Sequence, residues 1–104
     1  MVRLTATQSG QIVNLAEYQY LSVELPAAKT GFRWVLTKKP DPRVLKFVDR
    51  RPAVVRADLL GEKTDEFRFF AVGPGFTSFA LTCMPGRDVA AAAATFTLTV
   101  KVSD

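Results

Sequence analysis

The chain has no histidine and a single cysteine, Cys83. Without histidine it lacks the usual base for a serine or cysteine nucleophile and the commonest metal ligand. Zinc sites built from Cys and His, and histidine facial sites, are excluded by count, so neither a metal nor another cofactor is expected. One cysteine cannot close an intrachain disulfide. Within Phe79-Ala80-Leu81-Thr82-Cys83-Met84 it reads as a small buried hydrophobe. No apolar run approaches the ~18 residues of a membrane span, so no membrane partner is expected. The opening Met1-Val2-Arg3-Leu4-Thr5 has no apolar signal core. The chain as written therefore reads as cytoplasmic, or as periplasmic or secreted if a leader has been removed. No nucleophile–base pair or paired-carboxylate motif stands out. Glu62, Asp65 and Glu66 beside Lys63 read as a solvated charge run, and Gly73-Pro74-Gly75 reads as a hairpin turn too short to cradle phosphate. The chain is not expected to be an enzyme.

What is present is enough for one core. A length of 104 residues is expected to make a single domain spanning 1–104. Fourteen Lys and Arg against ten Asp and Glu give a net charge of +4, which favours solubility and attraction to an acidic partner surface. The basic residues Lys38, Lys39, Arg43, Lys46, Arg50, Arg51 and Arg56 are scattered among apolar and acidic neighbours. With no recognition-helix pattern or RNA-binding aromatic signature, nucleic acid is not an expected partner, and a monomer is expected. Eight phenylalanines and many β-branched residues in short alternating runs favour sheet.

The runs follow in order. Arg3–Ala6 and Gln11–Leu15 read as strands around the Ser9-Gly10 turn, and Leu21, Val23 and Leu25 give an inside face with Ser22 and Glu24 outward. Phe32, Trp34 and Leu36 mark the next strand, closed by Lys38-Lys39-Pro40-Asp41-Pro42. Val44–Val48 fits either a strand or a helical turn, and Pro52 is expected to separate it from Ala53–Leu60. Gly61–Asp65 reads as a polar turn, Glu66–Val72 and Phe76–Met84 as strands, and Pro85–Ala94 as a longer loop. The five alanines at 90–94 are too short for an isolated helix and read as loop or one loose turn. In the closing segment Phe96, Leu98, Val100 and Val102 point inward between Thr95, Thr97, Thr99 and Lys101. About seven short strands without an amphipathic helix imply an all-β, antiparallel immunoglobulin-like β-sandwich.

The stretch Leu25–Trp34 organises this plan. Pro26 and Gly31 bracket a short polar loop, and Trp34 reads as the core plug beneath it. By strand count the loops 27–31, 61–65 and 85–94 can share one end of the sandwich. Three tips on a stiff frame suit binding, because they are ordered in folding rather than at encounter.

Thr30-Gly31-Phe32-Arg33-Trp34 resembles the first-loop signature of the chagasin family, the immunoglobulin-like inhibitors of papain-type cysteine peptidases, whose usual form is Asn-Pro-Thr-Thr-Gly, an aromatic, any residue, Trp. Leu59-Leu60-Gly61 with Glu66–Phe69 is similar to the region of the family's Gly-x-Gly-Gly loop. Gly75–Pro85 is similar to the strand leading to its Arg-Pro-Trp loop. The loops depart from the pattern. Ala27-Ala28-Lys29 stands where Asn-Pro-Thr is usual, Glu62-Lys63 follows a single glycine, and Pro85 lacks the arginine before it and the tryptophan after it. The resemblance implies a non-enzymatic inhibitor whose partner is a papain-like cysteine peptidase, its cleft entered by a three-loop wedge. Carried over, the contact residues are Ala28, Lys29, Thr30, Gly31 and Phe32, then Gly61, Glu62 and Lys63, then Met84, Pro85, Gly86 and Arg87. The alternative is an immunoglobulin-like interaction module that has left peptidase inhibition behind.

Overall fold

Alternating burial runs along the last strand and along residues 65–71, whereas Leu21–Leu25 is buried throughout, Ser22 and Glu24 included. In the computed structural model, which describes residues 2–28, 30–56, 62–86 and 91–104 (for 52–56, 62 and 63 the backbone alone), eight strands form two four-stranded sheets. One sheet holds β1 (Val2–Thr5), β3 (Tyr20–Pro26), β6 (Glu62–Ala71) and β5 (Leu45–Arg56) in that order. The other holds β2 (Ile12–Ala16), β8 (Ala94–Ser103), β7 (Gly75–Pro85) and β4 (Phe32–Lys38). Neighbours run antiparallel, except at two outer edges, where β1 pairs parallel with β3 and β2 parallel with β8.

The core forms where the inward residues of both sheets meet. Phe96, Leu98, Val100 and Val102 are all buried along β8, as their period demands. Phe69 of β6 stacks on Phe79 of β7 at 4.3 Å between ring centroids, joining the two sheets directly. Phe47 extends this contact on one side at 5.5 Å and Phe96 on the other at 6.3 Å. Burying each such ring contributes about 1.5–3 kcal/mol.

One open reading is settled and two expectations change. Val44 closes a turn, its amide and that of Leu45 both bonding the Asp41 carbonyl at 2.9 Å, and Leu45–Val48 opens β5. Pro52 does not end that strand. It lies inside β5, near the register shift between Arg51 and Val54, and β5 is a sheet edge, where a missing N–H need not break a ladder. Gly73-Pro74-Gly75 is not a hairpin turn, because β6 and β7 lie in different sheets; it carries the chain from one to the other. The turn packs on Val44: the Val72 amide bonds its carbonyl at 2.8 Å, and a Cβ on Gly75 would come within 3.0 Å of its side chain.

Candidate functional site

Strand register places the three connections. Pro26, the last residue of β3, lies opposite Thr64 near the start of β6. Arg56, the last residue of β5, lies opposite Glu62, the first of β6, so the β5–β6 hairpin closes at this end. In the other sheet Phe32, the first residue of β4, lies opposite Pro85, the last of β7, and Cys83 lies opposite Ala94, the first of β8. The Pro26–Phe32 connection therefore bridges the sheets at one pole, flanked by a hairpin of each. The β4–β5 and β6–β7 connections lie at the opposite pole, as Lys38 opposite Ala80 and Gly75 opposite Val102 require.

The bridge is braced from beneath. Trp34 is 7% exposed, and its indole Nε1–H donates to the Pro26 carbonyl at 2.8 Å. One side chain on the descending limb thus holds the end of the ascending limb. Ala28 and Phe32, both half-buried, pack against the core at either side of the tip. Gly31 adopts φ +87°, a conformation costly to other residues, while Thr30 is exposed at the turn. Lys29 lies outside the described residues.

The second group is rearranged from the expected turn. Gly61 lies outside the described residues, and Glu62 and Lys63 are strand positions opposite Arg56 and Val55. Thr64 and Asp65 are buried in β6, not solvated in a turn. Asp65 falls in phase with the inward-facing Phe67 and Phe69. The Arg50 guanidinium reaches it from β5 at 3.6 Å and sits 5.7 Å from the centroid of the Phe67 ring. Glu66 is likewise committed rather than part of a loose charge run: it accepts a 2.5 Å bond from Ser22 and pairs with Arg51 at 3.7 Å. Neither carboxylate is disposed as a free acid or base.

In the third group Pro85 ends β7 half-buried, and Gly86 turns the chain with φ +58°. Met84 is only 4% exposed, so it supports the pole rather than offering surface. Arg87 lies outside the described residues. The Ala93 amide bonds the Cys83 carbonyl at 2.8 Å, closing the loop onto β7. Cys83 is buried, and that burial, together with the charge of Asp65, pushes its thiol pKa above the ordinary value, so it stays protonated and weakly reactive.

Between the bridge and the β7–β8 hairpin lies a hollow of about 360 Å³, floored by Trp34 and Cys83 beside Phe32 and walled by Pro26, Ala28 and Ala94, with Ala27 and Ala93 also lining it. The sequence offered no direct sign of it, because its walls are made by small side chains. A second apolar hollow, of about 320 Å³, opens at the far pole between Leu36, Pro40 and Phe47, with Lys39 and Lys46 on its rim.

No protein-family profile and no curated protein matches the chain. Solved structures do. The cysteine protease inhibitor EhICP2 from Entamoeba histolytica superposes with a TM-score of 0.75 at 13% identity, over 98% of this chain and 94% of that one. Amebosin gives 0.66 at 17% identity, over 99% of both chains. PbICP-C, solved in complex with falcipain-2, gives 0.63 at 18% identity over 97% of this chain and 89% of that one. The chain shares its β-sandwich fold, along nearly its whole length, with these proteins.

Proposed function

We propose that this protein inhibits papain-like cysteine peptidases by seating the loop pole in the active-site cleft. The observation that carries the reading is the braced bridge: Thr30 and Gly31 stand at the tip of a connection held by the Trp34–Pro26 bond and flanked by two hairpins. What supports a peptidase as the partner is the shared fold, since EhICP2 is a cysteine protease inhibitor and PbICP-C was solved bound to falcipain-2.

The mechanism is steric occupation. A prefolded tip loses little conformational entropy on docking, so more of the contact energy appears as affinity. Ala28, Lys29, Thr30, Gly31 and Phe32 supply the central element. Gly61, Glu62 and Lys63 supply one flank, and Pro85, Gly86 and Arg87, backed by Met84, the other. Thr30 brings a hydroxyl that can both donate and accept. Lys29 brings a charge that an acidic group on the partner must meet, because desolvating it unpaired is unfavourable.

Titration against a panel of papain and cathepsin-type peptidases tests the reading. Competitive inhibition is expected, and no inhibition at tens of micromolar would remove the proposal. Capture of a non-peptidase partner whose binding ignores Thr30→Ala and Lys29→Glu would favour the interaction-module alternative.

A further inference from the structure

We propose, resting on the inhibitor reading above, that the hollow at the loop pole is a receptor for one large apolar side chain projecting from the bound peptidase. Its floor is Trp34 and Cys83, each 7% exposed, with the half-buried Phe32 beside them. Its walls are Pro26 and Ala28 on the bridge and Ala94 on β8. The alanines end at Cβ, so the apolar floor is left within reach of a side chain from outside.

The chemistry of the lining selects the guest. Of these six side chains only the indole of Trp34 carries a nitrogen or oxygen, and that N–H is already given to the Pro26 carbonyl. A charged or amide side chain entering the hollow would give up its bonds to water and find few in return, whereas an apolar one gains by leaving water. The volume of about 360 Å³ is more than twice the ~150 Å³ of an apolar cavity that accepts benzene, so leucine, methionine or phenylalanine fits.

Position selects the source. The hollow lies between the bridge and the β7–β8 hairpin, and is therefore continuous with the surface assigned to the cleft. The far-pole hollow, rimmed by Lys39 and Lys46, is remote from that surface. A peptidase wall meeting the pole here must project rather than recede, and this makes the hollow a determinant of which peptidases are inhibited.

The experiment fills the hollow from its β8 wall. Ala94→Phe extends a ring from the first residue of β8, while Thr95→Phe adds the same bulk one residue on, on the alternate face of the strand. Inhibition constants against papain and the peptidase panel, together with melting temperatures, are read for both. The expected result is at least tenfold weaker inhibition by Ala94→Phe with its melting temperature kept or raised, and less than a twofold change for Thr95→Phe. If Ala94→Phe inhibits as well as the parent, or both variants weaken alike, the inference is overturned and the inhibitor reading stands. A parent chain that inhibits no member of the panel overturns both. Should Ala94→Phe fail to fold, Ala93→Leu fills the same hollow and is read in the same way.

Discussion

Replacing Trp34 by phenylalanine isolates the brace beneath the bridge. The substitution keeps an aromatic ring at a 7% exposed site but deletes the N–H that holds the Pro26 carbonyl. Losing that hydrogen bond costs about 1 kcal/mol net, without the larger penalty of a buried orphan acceptor, because Pro26 is exposed enough for water to reach its carbonyl. The smaller ring leaves a partial void worth roughly another 1–2 kcal/mol. Together Trp34→Phe should destabilise by about 2–3 kcal/mol, against ~3–5 kcal/mol for Trp34→Ala, which empties the site. Trp34 is the only tryptophan, so unfolding in urea is followed by far-ultraviolet circular dichroism. With a slope of about 1–3 kcal/mol per molar urea, the midpoint for Trp34→Phe should fall by roughly 0.7–3 M. Inhibition should weaken more than global stability alone explains, because the two limbs of the bridge are no longer tied. A Trp34→Phe midpoint matching the parent's would refute the brace, and a tolerated Trp34→Ala would refute the burial itself.

Three other substitutions separate tip, backbone and charge. Thr30→Ala, at an exposed turn position, should stay within about 0.5 kcal/mol of the parent in stability yet weaken inhibition about tenfold; if it unfolds the protein, the tip is structural. Gly31→Ala meets no atom within 4 Å but forces a side chain at φ +87°, costing roughly 1–2 kcal/mol in urea unfolding; an unchanged midpoint would show that the bridge relaxes freely. Asp49 receives two bonds from the Arg68 guanidinium, at 2.8 and 2.6 Å, and this pairing holds its carboxyl below the usual carboxylate range. The stability it adds is present above the unfolded carboxylate value near ~3.9 and is lost as the pH falls through the lower folded value. The gap between parent and Asp49→Asn should therefore be seen at neutral pH and close in strong acid, whereas a gap independent of pH would contradict the assignment.

Much of the frame was legible because strand burial has a period of two. Phe96, Leu98, Val100 and Val102 announced their face, Trp34 was recognisable as the plug beneath the first loop, and the strand ends that flank the three grouped connections lie at one pole, although 62–65 is strand rather than turn. The misreadings came where local chemistry was allowed to outrank that period. Asp65 looked like turn material by polarity, yet it stands two residues before Phe67 and four before Phe69 on the same face, and its burial is offset by Arg50 on a neighbouring strand. Pro52 signalled a break, but a sheet edge tolerates a proline that an interior strand would not. Gly73-Pro74-Gly75 correctly marked a reversal, but turn residues do not say which sheet the next strand joins. The parallel edge pairs likewise depend on long-range placement. At the pole the sequence supplied candidate contact residues, while the brace from Trp34 to Pro26 and the hollow beside it arise only when distant segments come together.

Mapping where a peptidase lands is the most direct test of the central claim. Amide hydrogen exchange of the chain alone and in complex with papain or a cathepsin-type peptidase reads that footprint residue by residue. The account predicts slowed exchange across the 27–32 bridge and the two hairpin tips beside it, with residues 39–44 and 72–74 at the far pole unchanged. Protection concentrated at the far pole, or on an outer sheet face with the bridge still exchanging freely, would contradict it.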